Sequence, residues 1–159
     1  MDTSSFFNYP TLETQAQGAI PAPTGFLADR SQEEWAIVLG SVETRRFRPD
    51  EPLFIAGEPD RAFYLLTDGR LRADAQEGFA PDPIRPPAIV GGAAFLDGLP
   101  RAITMRALDH GEALRMSFDA WEALAAREPY LGRAVLLDVA RAVAAQARTG
   151  AAGIASWSG

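Results

Sequence analysis

The chain contains no cysteine and no lysine, and it has a single histidine. Without cysteine there is no disulfide framework, no thiolate metal site and no thiol nucleophile. A mononuclear metal centre on a β-scaffold usually draws on several imidazoles, so one histidine disfavours a metal-dependent enzyme. A Ser–His–Asp hydrolase would need that same His110, and no Gly-x-Ser-x-Gly elbow is present. His110 sits in the sequence Asp109–His110–Gly111, which is turn chemistry. No apolar run approaches the roughly 18 residues of a membrane span, so no membrane insertion is expected. No basic region followed by an apolar stretch opens the chain, so no secretory signal is expected and the reading is cytoplasmic.

All 15 basic residues are arginine, against 21 acidic ones, and the net charge is −6. That balance argues against nonspecific binding to nucleic acid or an anionic membrane surface. The run Arg45–Arg46–Phe47–Arg48 looks basic, but on a strand Arg46 and Arg48 face one way and Phe47 the other. A solvated sheet edge is the simpler reading than a nucleic-acid patch. Carboxylates such as Glu33, Glu34, Glu58, Asp60, Asp82, Asp97 and Glu112 stand in contexts that suggest solvated loop charge. No acid–base constellation emerges, so the chain is not expected to be an enzyme and no cofactor is expected.

What is present fits one domain with a real core, since 47% of the 159 residues are hydrophobic. Residues 1–24 are polar and broken by Pro10, Pro21 and Pro23, and read as a flexible arm. Phe6, Phe7, Tyr9 and Leu12 within it either pack on the chain's own domain or dock a partner. Phe26 to about Val42 predicts a helix, with Ser31 and Glu34 at capping-box spacing and Gly40 at its end.

From Thr44 to Met116 short β-rich runs alternate with turns. Candidate strands are Arg45–Arg48, Leu53–Ile55, Phe63–Thr67, Leu71–Ala75, Ala88–Val90, Ile103–Leu108 and Ala113–Met116. Asp68–Gly69 reads as a hairpin, with Leu71–Ala75 pairing back. Gly78 to Pro87 carries four prolines and reads as loop or edge. After Ser117 the period becomes helical, and Ser117 or Asp119 can cap a short helix through Trp121 and Leu124. Leu131, Val135, Leu136, Val139 and Val143 then recur at three- and four-residue spacing. That helix is too apolar to be fully solvated, so it lies on the roll, on a second subunit, or on both. The fold class is mainly β with flanking helices. Specifically, residues 25–150 should form an eight-stranded, jelly-roll-like β-roll with an N-terminal helix and C-terminal helices, followed by a tail over 151–159.

The stretch Val90–Gly91–Gly92–Ala93–Ala94–Phe95, closed by Pro100–Arg101–Ala102, has its own chemistry. Glycine admits backbone conformations that a Cβ blocks and lets a ligand approach main-chain N–H groups. Amides at the start of a helical turn attract anions, and an arginine fork matches phosphate oxygens. Arg101 can equally pair with a local carboxylate such as Asp97.

Order and motif together resemble the cyclic-nucleotide-binding domain family over about residues 26–148. Arg48–Pro49–Asp50–Glu51 through Gly57–Glu58–Pro59–Asp60 resembles its Pro-Gly-Glu turn, strand and Gly-Asp-x-Asp turn. Tyr64–Leu65–Leu66–Thr67–Asp68–Gly69 resembles its Tyr-x-Ile-x-x-Gly segment, and Val90 to Thr104 its phosphate-binding cassette. The resemblance implies that Arg101 pairs with a cyclic phosphate and that the N–H groups of Ala93 and Ala94 face it. It places Gly91 and Gly92 in the cassette turn, and Ala102 as the small residue that accompanies cAMP rather than cGMP. The family's glutamate, which accepts from the ribose 2′-OH, falls on Gly92. Loss of a hydrogen bond to a charged group costs about 1.5–3 kcal/mol. Binding is then weak, or another residue supplies the acceptor, or the pocket takes a different ligand or none.

Residues beyond the last predicted helix are too few for a helix-turn-helix, so no DNA partner is expected. The reading is a stand-alone regulatory module that binds a cyclic nucleotide, with cAMP favoured over cGMP, and signals to a protein partner. A homodimer through Leu131–Arg148 is the accompanying expectation. The alternative is a degenerate, ligand-free β-roll serving as a protein-interaction adaptor or scaffold.

Overall fold

In a computed structural model, the described residues are 27, 29–74 and 81–153. The expected arm, residues 1–24, lies outside them, as do residues 75–80 and 154–159; of the expected tail over 151–159, residues 151–153 instead continue the last helix. Helix α1 (Gln32–Leu39) begins where Ser31 accepts from the Glu34 amide, while the Glu34 side chain reaches back to the Ser31 amide. That capping box fixes its start several residues later than apolar content alone suggests. The helix turns Trp35, Ile37 and Val38 toward one core.

Seven strands occur among the described residues, in sheets of four and three. Strands β1 (Glu43–Phe47), β7 (Gly111–Ser117), β3 (Ala62–Asp68) and β5 (Ala88–Val90) form the larger sheet, in the order β1-β7-β3-β5. Strands β2 (Pro52–Phe54), β6 (Met105–Ala107) and β4 (Leu71–Ala73) form the smaller, in the order β2-β6-β4. All the strand pairs are antiparallel.

Strand β3 organises the roll. Ala62 to Leu66 are all buried, because successive side chains feed opposite cores. Phe63 and Leu65 enter the cluster beneath the helices, whereas Tyr64 and Leu66 enter the interior of the roll. Here the expected hairpin is corrected. β3 is paired on both edges, by β7 and by β5, so β4 has no free edge of β3 to join. The chain instead turns a corner at Gly69, whose φ is +85°. β4 then pairs with β6, and Leu71 makes a bridge to Ile84.

On β1, Arg46 is exposed and Phe47 buried, as alternation predicts. Arg45 lies on the Phe47 side and donates to Leu53 O, Pro52 O and the Glu51 carboxylate, tying β1 to the start of β2.

The C-terminal helices close one face of the large sheet. Ser117 caps α3 (Phe118–Arg127) by accepting from the Ala120 amide. Helix α4 (Pro129–Gly153) buries Leu131, Val135 and Val139 against Phe63, Leu65, Ile89 and Phe95. Two polar contacts fasten it: Asp138 accepts from the Leu27 amide at 2.7 Å, and Gln146 donates to Ile89 O at 2.8 Å. The apolar stripe of α4 therefore lies on its own roll. No helix among the described residues is long and apolar enough to cross a membrane.

Candidate functional site

The glycine stretch forms a tight turn into a short helix, α2 (Gly92–Asp97). Gly91 caps it with φ +78°, and Gly98 ends it with φ +73°. A Cβ on Gly91 would stand 2.6 Å from Arg101 Nη1 and 3.2 Å from the Phe54 ring. Glycine is required there both by backbone conformation and by close approach.

Arg101 returns beside this turn because the main chain around it is pinned. Its amide donates to Glu58 O, and its carbonyl accepts from the Gly57 amide. Further along, Thr104 Oγ1 accepts from the Ala56 amide. The Arg101 side chain is 2% exposed. Nη1 donates to Gly91 O, and Nη2 to Ala62 O and Asp60 Oδ2, each at 2.8 Å. The guanidinium lies 4.0 Å from the centroid of the Phe54 ring. Its Nε is buried and has no hydrogen-bond partner.

Asp60 is the centre of the cluster. It takes Arg101 and the Tyr64 hydroxyl on Oδ2, and Arg115 on Oδ1 at 2.7 Å. Burial by itself would raise the Asp60 pKa, but the hydrogen bonds from Arg101 and Arg115 outweigh it and hold the carboxyl below its ordinary range. Burial and the neighbouring Asp60 charge push the Tyr64 phenol up. Arg115 also reaches Glu43 at 3.3 Å, but that carboxylate is 75% exposed. Two guanidiniums thus share the half-buried Asp60 carboxylate, and Arg115 has the exposed Glu43 as a second partner.

Of the residues expected at the site, Gly91 and Arg101 meet directly. Ala93 and the buried Ala94 lie in the first turn of α2, while Ala102 is exposed on the following loop. Arg101 does not pair with Asp97, which instead accepts from the Leu99 amide. Asp60, expected from the sequence to be a solvated loop carboxylate, is instead half-buried, because Arg101, Arg115 and Tyr64 converge on it. Its signal in the sequence was its place at the end of the Gly57–Glu58–Pro59–Asp60 turn, the counterpart of an acidic family motif.

Gly92 is buried, and its surroundings leave little room for a side chain. A Cβ there would stand 2.7 Å from Val143 Cγ2 and 3.0 Å from Val139 Cγ1. Helix α4 fills the space into which a side chain at position 92 would project. A groove of about 370 Å³ runs along Phe54, Glu58, Asp60 and Tyr64 on the flank of the cluster. His110 is exposed at the corner before β7.

Comparison with known proteins agrees with this architecture. The family model for the cyclic nucleotide-binding domain matches residues 44–128, more than half of the chain. Uncharacterized NTE family proteins of Mycobacterium tuberculosis and Mycobacterium bovis are 30% identical over 115 residues, covering 72% of this chain and 20% of theirs. This chain thus spans about a fifth of the length of those relatives. A cyclic nucleotide-binding domain from Methylobacillus flagellatus superposes with a TM-score of 0.73 at 25% identity, over 79% of this chain and 73% of that one. The catabolite activator protein of Thermus thermophilus shares the fold, with a TM-score of 0.63 at 22% identity, over 74% of this chain and 57% of that one.

Proposed function

The chain belongs to the cyclic nucleotide-binding domain family, and from that premise we propose that it is a regulatory module whose cassette takes a cyclic nucleotide by its phosphate. The observation that carries this reading is the buried Arg101 Nε, a charged donor without an acceptor beside Gly91. A cyclic phosphate carries one negative charge and two acceptor oxygens. It would satisfy that donor and give the Arg101 guanidinium a second anionic partner beside Asp60. Asp60, Ala62 O and Gly91 O would keep the fork oriented while the phosphate engages its open edge. The amides of Ala93 and Ala94 would add to the same anion site.

Gly92 sets the affinity. No carboxylate meets the ribose 2′-OH there, so binding should be weaker by about one to two decades than a site with that acceptor. Ala102 brings no hydroxyl to the base side, which is the basis for favouring cAMP over cGMP. A protein partner would read the outcome on α4. Because Leu131, Val135 and Val139 already lie on the roll, a homodimer along Leu131–Arg148 would have to use the outward face, where Tyr130 and Leu137 are exposed.

The second reading, a ligand-free adaptor, is favoured by one observation: α4 closes on Gly92 through Val139 and Val143. Titration calorimetry with cAMP, cGMP and 2′-deoxy-cAMP separates the two. The sensor reading expects measurable heat with cAMP, its loss in Arg101→Lys, and 2′-deoxy-cAMP binding within about threefold of cAMP, since no 2′-OH acceptor is lost. No heat at millimolar nucleotide from a folded chain overturns the nucleotide reading and supports the adaptor instead.

A further inference from the structure

Two consecutive residues grip the cassette at its two ends. Asp60 holds Arg101, and Arg61 holds the far end of α2. Arg61 Nε donates to Phe95 O at 3.0 Å and Nη2 to Leu96 O at 3.1 Å. These carbonyls belong to the last turn of α2, where a helix leaves acceptors unsatisfied and partial negative charge favours a cation. The same guanidinium lies 3.6 Å from the centroid of the Phe118 ring, at the first residue of α3. The Arg61 carbonyl accepts from the Phe118 amide at 2.9 Å. Gly98 leaves room for this arrangement: a Cβ there would stand 3.3 Å from Arg61 Cζ. One side chain on the lead into β3 therefore touches the end of α2 and the start of α3 at once. A planar fork can donate along its edge while its flat face lies on a ring; a tetrahedral ammonium has no flat face to stack.

We propose that Arg61 is a positioning residue that ties α2 to α3, so that a displacement of the cassette is carried into the C-terminal helices through this side chain. What drives the displacement rests on the nucleotide reading above; the tie itself does not. An ion drawn to Arg101 perturbs Asp60, and its chain neighbour Arg61 is bonded to α2 and stacked on Phe118. The apolar contacts of Phe95 with Phe118 and Trp121 provide a parallel connection, so the test must leave them intact.

Hydrogen–deuterium exchange on the full chain with Arg61→Gln does so. Without ligand, peptides covering residues 92–99 and 118–127 should both exchange about threefold or more faster than wild type, with β3 and β7 unchanged. Arg61→Lys, which keeps the charge and loses the fork, should fail to restore both peptides together. Unchanged exchange in both peptides overturns the proposal. So does faster exchange in 92–99 alone, or an equal rise across β3 and β7, which would mean a general stability role. With saturating cAMP, wild type should change protection over 118–127, and nucleotide-loaded Arg61→Gln should not; a change that persists in the variant also overturns the tie. If wild type takes up no cAMP, the nucleotide reading fails, and the ligand-free comparison still decides the role of Arg61.

Discussion

One carboxylate, Asp60, held between the guanidiniums of Arg101 and Arg115 dominates the chemistry of this domain. Removing Arg101 leaves Asp60 with Tyr64 and Arg115 and opens a void under Phe54. Breaking a buried pair costs about 3–5 kcal/mol when it strands a charge; Asp60 keeps Arg115 and Tyr64, so Arg101→Ala should cost less than that yet still unfold at lower urea, with Arg101→Lys between it and wild type. Asp60 governs the acid limb of stability. Its folded pKa lies below the ordinary value of 3.8, so its contribution is present above that value and disappears as pH falls through the lowered one. Urea unfolding at pH 6 and at pH 3 should show wild type losing stability across that interval. Asp60→Asn should start lower and change less. Equal acid sensitivity in the two proteins would remove Asp60 from this role.

At the scale of elements, the contact between α2 and α4 is the unusual one. Gly92 is where two helices meet without a side chain between them, and α4 supplies Val139 and Val143 on the other side. Adding one methyl group should force a shift and cost about 1–3 kcal/mol. Gly92→Ala should therefore destabilise, and Val143→Ala should relieve part of that loss in the double variant. A double-mutant cycle from chemical unfolding measures the coupling, and strictly additive losses would show that the two residues do not compete for space. The same contact means that restoring a glutamate at position 92 does not rebuild a ribose acceptor in this chain. The new side chain has to push α4 away before it can reach a ligand.

For the molecule as a whole, ligand binding and stability are linked. A nucleotide that binds only the folded chain adds about 2.7 kcal/mol at a hundred times its Kd. Thermal melts with increasing cAMP should therefore shift upward in wild type and not in Arg101→Lys. A homodimer on the outward face of α4 would expose itself differently: Leu137→Glu should lower the sedimentation coefficient to that of a monomer while leaving the melt nearly unchanged, because Leu137 is 45% exposed on the single chain. Identical sedimentation of wild type and variant would exclude that interface.

Much of the architecture follows from interactions that span only a few residues. The Ser31–Glu34 box, the Ser117 cap, the apolar run from Ala62 to Leu66 and the spacing from Gly91 to Arg101 are visible in the one-dimensional order because caps, turns and periodicity are local. They determined the β-roll, its flanking helices and the family resemblance. The tertiary structure alone decided which sheet β4 joins, since that depends on both edges of β3 being taken by β5 and β7. It alone decided that Arg101 takes Asp60, 41 residues away, rather than the nearby Asp97. And it alone showed that a side chain at position 92 has little room, because the valines that occupy the space arrive from a helix near the other end of the chain. Local order constrains what each segment can form; only the folded chain brings distant charges and methyl groups within contact distance, and there their mutual attraction and exclusion set the site.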